Sequence, residues 1–265
     1  MIEHRWELWL IGWGASAALL FALYLWQRRT RDATAVDAGW ASSLVLCAVL
    51  YAVLGPGDVS HRALIASVAG IENLRIASLV RRRLGHGEDS RYRELRARWG
   101  ERGREQLSFA IFYQAQALLA AALSLPFLLV TFDRRHGLAP IEWVGAALWV
   151  VAASLEATAD RQLATFRGNP ANKGKTMRAG LWSTSRHPNY FFQTLNWVAY
   201  ALIAADAPWG WLAWLAPALI LYLVLFVTGV PPAEEASLRS RGDDYRRYQQ
   251  ETSVFIPWFR RSPTG

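Results

Sequence analysis

The sequence has a single cysteine, Cys47, which excludes an intrachain disulfide framework and any cysteine-based zinc or iron–sulfur site. It contains no internal repeat and no low-complexity tract. Acidic residues are outnumbered, 21 against 29 Lys and Arg, for a net charge of +8. A cleavable signal peptide is also missing. The first apolar run, Trp6–Trp26, is too long and too Trp-rich for a signal core and has no small-x-small site after it.

The chain also lacks the dispersed apolar residues of a soluble domain. Its 53% hydrophobic residues gather into runs of about 18–25 residues, long enough to cross a hydrocarbon core of roughly 30 Å. Mean hydropathy is only +0.10 because the segments between the runs are Arg-rich. Seven spans are expected, at about 6–26, 36–54, 61–80, 107–130, 141–163, 189–206 and 208–230. The third is the weakest because it contains Glu72, Asn73 and Arg75. The fold expected is all-α, a polytopic bundle of about seven transmembrane helices.

Charge gives that bundle an orientation. The segments 27–35, 81–106, 159–188 and 231–265 carry 24 of the 29 Lys and Arg. The positive-inside rule puts those four segments and the C-terminus in the cytoplasm and the N-terminus outside. The same distribution accounts for the net charge without nucleic acid as a partner. Residues 86–106 read as a short helix of alternating charge at the headgroup level. Residues 233–250 read as a helix interrupted near Gly242, acidic early and basic late as the helix dipole favours.

The most informative stretch runs from Asn172 to Tyr190. Lys173, Lys175, Arg178 and Arg186 lie among glycines, and Arg186–His187–Pro188–Asn189–Tyr190 leads into the sixth span. Pro188 suits the start of a helix, where its missing N–H costs nothing. Clustered cations, a helix N-terminus and hydrogen-bonding side chains together make a good anion site, for a phosphate or pyrophosphate. Positive-inside charge with an aromatic belt is the plainer reading of the same residues.

The run GLWSTSRHPNY resembles the hallmark of the steroid 5α-reductase C-terminal domain family, including its bacterial branch labelled DUF1295. Other segments fit in order: VDAGW at 36–40, EDSRYRELRARW at 88–99, YQAQALLAAALSLP at 113–126 and ADRQLATFR at 159–167. The end, EEASLRSRGDDYRRYQQETSVFIPW, fits the family's Tyr-x-x-Tyr and Ile-Pro pattern. The resemblance implies a multi-span, NADPH-dependent reductase of lipid-like enones in a bacterial inner membrane. It implies a substrate half at 1–130 and a reductase-like, NADPH-binding region at 131–265. Asp160 and Arg167 would hold the adenosine or phosphate part, Lys175 would take the place of a basic phosphate contact, Asn189 would contact the nicotinamide end, and Asn172 and Lys173 would line the cofactor site beside them. Arg186, His187 and Tyr190 belong to the same cofactor set. Tyr245, Tyr248 and Glu235 would close over it. Gln193 stands where the eukaryotic steroid enzymes often carry Glu, and their steroid-binding Gln-Glu pair has no counterpart.

NADPH supplies hydride, so the protein must supply a donor for the developing enolate. Glu72 is a candidate, since a carboxyl group inside a span is a functional position by default. Arg75, three residues on, offers it a structural ion pair instead. Tyr113 is the second candidate donor. Gln114, Gln116, Asp37 and Trp40 are candidate substrate contacts, although Asp37 also suits a helix cap. Glu234 and Glu235 have no partner at metal-ligand spacing, so no metal is expected. The alternative is a methyltransferase resembling the isoprenylcysteine carboxyl methyltransferases, which share an Arg-His-Pro-x-Tyr run and use S-adenosylmethionine. A non-enzymatic lipid-binding protein is the third reading.

Overall fold

The computed structural model describes residues 1–81, 84–85 and 87–259, and among these every regular element is helical. The chain divides into two compact units, Met1–Trp143 with Tyr200–Ala216, and Val144–Ala199 with Pro217–Gly265.

The first unit is built on α1 (Arg5–Thr30), α2 (Ala35–Leu54), α3 (Val59–Arg81) and α5 (Glu105–Leu123), with α4 (Ser90–Gly100) between α3 and α5. All but α4 are long and apolar enough to cross a membrane. Helices α1, α2 and α5 pack on one another, and α3 packs along α2. The expected span at 107–130 is broken. It becomes α5 and a short α6 (Leu125–Val130), because Pro126 has no N–H to continue the ladder and the Ser124 hydroxyl caps the Ala121 carbonyl at 2.8 Å. The short helix expected at 86–106 is α4, which ends at the turns around Gly100 and Gly103; His86 lies outside the described residues.

A small polar chain is buried in this unit. Ser16 donates to the Gly12 carbonyl at 2.8 Å and meets Cys47 at 3.5 Å, while Tyr51 meets Ser124 at 3.1 Å. Gly12 is required by this packing: a Cβ there would stand 2.3 Å from the Tyr51 hydroxyl oxygen and 2.7 Å from its ring. Gly12→Ala should therefore push a fully buried ring off its Ser124 partner. Overpacking of this kind costs about 1–3 kcal/mol. A thermal unfolding midpoint equal to wild type would contradict this packing.

His61, in the same unit, is fully buried. Its Nδ1 lies 2.7 Å from Glu142 and its Nε2 2.9 Å from the Arg135 carbonyl oxygen. The other Glu142 oxygen accepts from the Ala139 N–H at 2.8 Å, so one carboxylate both caps a helix start and holds the histidine.

The second unit contains most of α7 (Pro140–Gly168), of α8 (Pro188–Ile203) and of α9 (Leu215–Tyr222), then α10 (Val230–Arg241) and α11 (Asp243–Glu251). Among the described residues, six helical segments are long and apolar enough to span: α1, α2, α3, α5, α7 and the stretch Gly210–Arg241, which bends at Thr228 and Gly229. The expected span without a counterpart in that set is the sixth, at 189–206, which is α8. Its 16 residues reach about 24 Å, short of a roughly 30 Å core. The turn at Ala204–Ala207 and the close-packed Gly210 end it early. The chain is an all-helical, multi-pass integral membrane protein.

Candidate functional site

The Asn172–Tyr190 stretch is assembled on α7. That helix continues five residues beyond its expected end at 163, so Asp160 and Arg167 are helical and lie seven residues, about two turns, apart. Asn172 caps the helix end, donating to the Phe166 carbonyl at 3.0 Å. The following loop is fixed to α7 by the Trp182 indole, which donates to the Ala159 carbonyl at 3.0 Å, and by the Leu181 N–H, which donates to Gln162 at 3.0 Å. Pro188 opens α8 as expected. Asn189, in the first turn, donates to Asp160 at 3.1 Å.

The centre of this unit is Glu234. Its carboxylate accepts from Arg186 (Nε, 2.7 Å; Nη2, 3.2 Å), from the Tyr245 hydroxyl at 3.0 Å and from Gln249 at 2.6 Å, and lies 3.1 Å from His187 Nε2. The third guanidinium nitrogen of Arg186 donates to the carbonyls of Gln249 and Thr252 at 2.9 and 2.8 Å. Tyr248 donates to the carbonyls of Trp182 and of Ser185, the latter at 3.1 Å. The tail completes the clamp: Arg186 N–H donates to the Ser253 carbonyl, Ser185 to that of Phe255, and Trp258 N–H to that of Thr184. His187 stacks on Tyr190, with centroids 5.4 Å apart and planes 4° from parallel. The hallmark residues are therefore locked by α10, α11 and the tail into one hydrogen-bonded body.

The four loop cations have different positions. Arg186 is committed to Glu234. Arg178 is committed to Asp244, at 2.8 Å, with Glu251 at 3.7 Å. Lys173 and Lys175 are exposed, and among the described residues neither has a carboxylate partner. Glu235, the acid expected to close the site, is exposed and within 3.9 Å of Arg239, while its neighbour Glu234 faces inward. Gly242, at φ +51°, turns the chain between α10 and α11 and so brings Tyr245 and Tyr248 back onto the motif.

Hydrogen bonding from Thr176 holds the Asp244 carboxyl below the ordinary aspartate range, with Arg178 and Arg247 assisting against a burial contribution that raises it. A depressed carboxylate stabilises the fold above its unfolded value of about 3.9, and that stability is lost as pH falls through the lower folded value. Asp244→Asn should flatten the acid limb of a midpoint-against-pH curve. An unchanged acid limb would show that this contact does not matter.

The expected substrate-half residues lie in the first unit. Asp37 is bound by Arg91 at 2.7 Å and by the Tyr92 hydroxyl. Tyr113 is fully buried beside Tyr24, and its hydroxyl reaches the Ala33 carbonyl at 3.4 Å. The Trp40 indole N–H is buried without a partner among the described residues. Gln114 donates to the Ala17 carbonyl at 3.4 Å, and Gln116 is half-buried. Glu72, buried on α3, is paired with Arg75 at 2.7 Å, the ion pair their spacing offered.

Two positions emerge from the structure without having been candidates. One is Glu234. The other is Glu156, buried on α7, which accepts from Asn196 of α8 at 2.8 Å. Its signal was present in the sequence, since an acid inside the apolar run 141–163 invites the argument applied to Glu72. No cluster of three or more His, Cys, Asp or Glu side chains suited to a metal occurs among the described residues.

These features define a class: a multi-pass helical membrane protein whose C-terminal helices and tail clamp an Arg-His-Pro-Asn-Tyr motif. Residues 23–252 match the family described as protein of unknown function (DUF1295), and the chain belongs to that family. No curated protein and no solved structure matches it.

Proposed function

We propose that this protein is an NADPH-dependent reductase of a C=C bond conjugated to a carbonyl in a steroid-like or other lipid substrate. In this reading its N-terminus is outside, and its basic loops and cofactor site face the cytoplasm of a bacterial cell, at the inner membrane. The observation that carries the reading is the pair Lys173 and Lys175, exposed and uncommitted in a loop whose other cations are tied to carboxylates. They sit between the α7 end bearing Asp160 and Arg167 and the clamped motif. That donor set suits a phosphate-bearing dinucleotide: lysines for phosphate, the Asp160–Asn189 pair for hydroxyls.

When bound, NADPH would supply the hydride. The chain's part is to hold and orient it. Lys173, Lys175 and Arg167 would neutralise phosphate, while Arg186, Glu234, Tyr245 and Tyr248 keep the motif backbone in place rather than touch the cofactor. Of the two candidate proton donors in the first unit, Tyr113 suits the role better than Glu72. The Tyr113 hydroxyl has only a long bond to a backbone carbonyl, whereas the Glu72 carboxylate is occupied by Arg75.

One observation favours the methyltransferase reading: Arg178 and Arg186 are both spent on carboxylates, which leaves fewer cations for phosphate than the sequence offered. S-adenosylmethionine carries no phosphate. The two readings separate in one experiment on the detergent-purified protein. Thermal stabilisation by NADPH, but not by S-adenosylmethionine, is expected. The effect should weaken in Lys173→Ala/Lys175→Ala, whose midpoint without ligand stays at the wild-type value because both side chains are exposed. Stabilisation by S-adenosylmethionine alone would overturn the reductase reading.

A further inference from the structure

We infer that the outward side of α4 and the turn behind it bind the phosphate headgroups of anionic phospholipids in the bilayer around the spans. Neither the cofactor nor the second unit takes part in this binding. The inward side of α4 is docked. Tyr92 is buried and bonded to Asp37, and Trp99 meets Phe109 edge to face at 4.9 Å. Arg96 lies over the same Phe109 ring at 4.6 Å and is held by Glu88, Glu105 and Gln27. Docking therefore uses Arg91 and Arg96 and neutralises them. It leaves Arg93, Arg98, Arg102 and Arg104 exposed, with no carboxylate partner among the described residues. Arg29 is in the same state at the end of α1, which the Arg96–Gln27 and Arg31–Glu105 contacts bring to this place.

The depth of these cations follows from the apolar residues next to them. On α5 the exposed stripe Leu107, Ile111 and Leu118 begins directly after Arg104. On α1 the exposed Phe21, Leu25 and Trp26 stop just before Arg29. In a membrane protein such exposed apolar stripes face acyl chains. The arginines one turn beyond them therefore stand at the level of the headgroup phosphates. Guanidinium matches a phosphate in a bidentate way, and several such contacts add along one leaflet. Orientation by positive charge requires only that the cations be there. It does not require that they remain unpaired while the docked ones are neutralised.

The test uses the full chain in nanodiscs of phosphatidylcholine, with and without phosphatidylglycerol. Phosphatidylglycerol should raise the unfolding midpoint of the wild type, and high salt should reduce that shift. The quadruple variant Arg93→Gln/Arg98→Gln/Arg102→Gln/Arg104→Gln should lose the shift while keeping the wild-type midpoint in phosphatidylcholine. The corresponding quadruple Lys variant should retain most of it. If the Gln variant fails to fold, the Lys variant and the salt dependence of the wild type still decide. An absent or salt-insensitive wild-type shift, or an undiminished shift in a folded Gln variant, overturns the proposal. So does an equal shift given by inorganic phosphate in phosphatidylcholine discs, which would make this a free-anion site.

Discussion

Arg186→Ala is expected to be the most damaging single substitution in the second unit. The side chain is 11% exposed and its partner Glu234 14%, and it also satisfies two backbone carbonyls of the tail. Removing one member of such a pair leaves the other charge uncompensated, at a cost of about 3–5 kcal/mol. Glu234 would keep His187, Tyr245 and Gln249, which places the loss toward the lower end. Arg186→Lys should recover part of it at most. One ammonium cannot serve both carboxylate oxygens and two carbonyls in the fixed planar arrangement of a guanidinium. A double-mutant cycle with Glu234→Gln should show strong coupling, since the two residues share a network. Additive losses, or a wild-type midpoint for Arg186→Ala, would mean that Glu234 is not the centre of this unit.

Asn196 is the second position. It is 1% exposed, and its amide donates to Glu156, a buried carboxyl group within an apolar span. Asn196→Leu deprives that carboxyl of a donor where water cannot replace it, a loss of about 1–3 kcal/mol. Asn196→Asp should cost more, because it sets a second carboxylate beside the first in surroundings that screen poorly. The ranking wild type, then Leu, then Asp in midpoint is the check. If Asp is tolerated as well as Leu, the Glu156–Asn196 bond is not the dominant interaction at that position.

Much of the fold could be read along the chain because it is written in short-range pattern. Runs of apolar residues set the long helices, Pro188 the start of α8, and Gly242 the break between α10 and α11. Errors came where a run was uniform in hydropathy but not in backbone chemistry, as at Ser124–Pro126, or where a helix was shorter than the run containing it, as in α8. Neither feature changes hydropathy enough to be seen in it.

The site was less legible. The sequence by itself determined the membrane class, the crowding of cations before the Arg-His-Pro motif and the identity of the motif. Which of those cations remain uncommitted was decided by the tertiary structure. Arg178 and Arg186 find their carboxylates on α11 and α10, 66 and 48 residues away. Nothing local distinguishes them from Lys173 and Lys175. The choice of Glu234 over Glu235 is of the same kind. Adjacent residues on a helix point about 100° apart, so one of two identical side chains faces the motif and the other faces outward. Only the packing of α10 against the rest of its unit decides which.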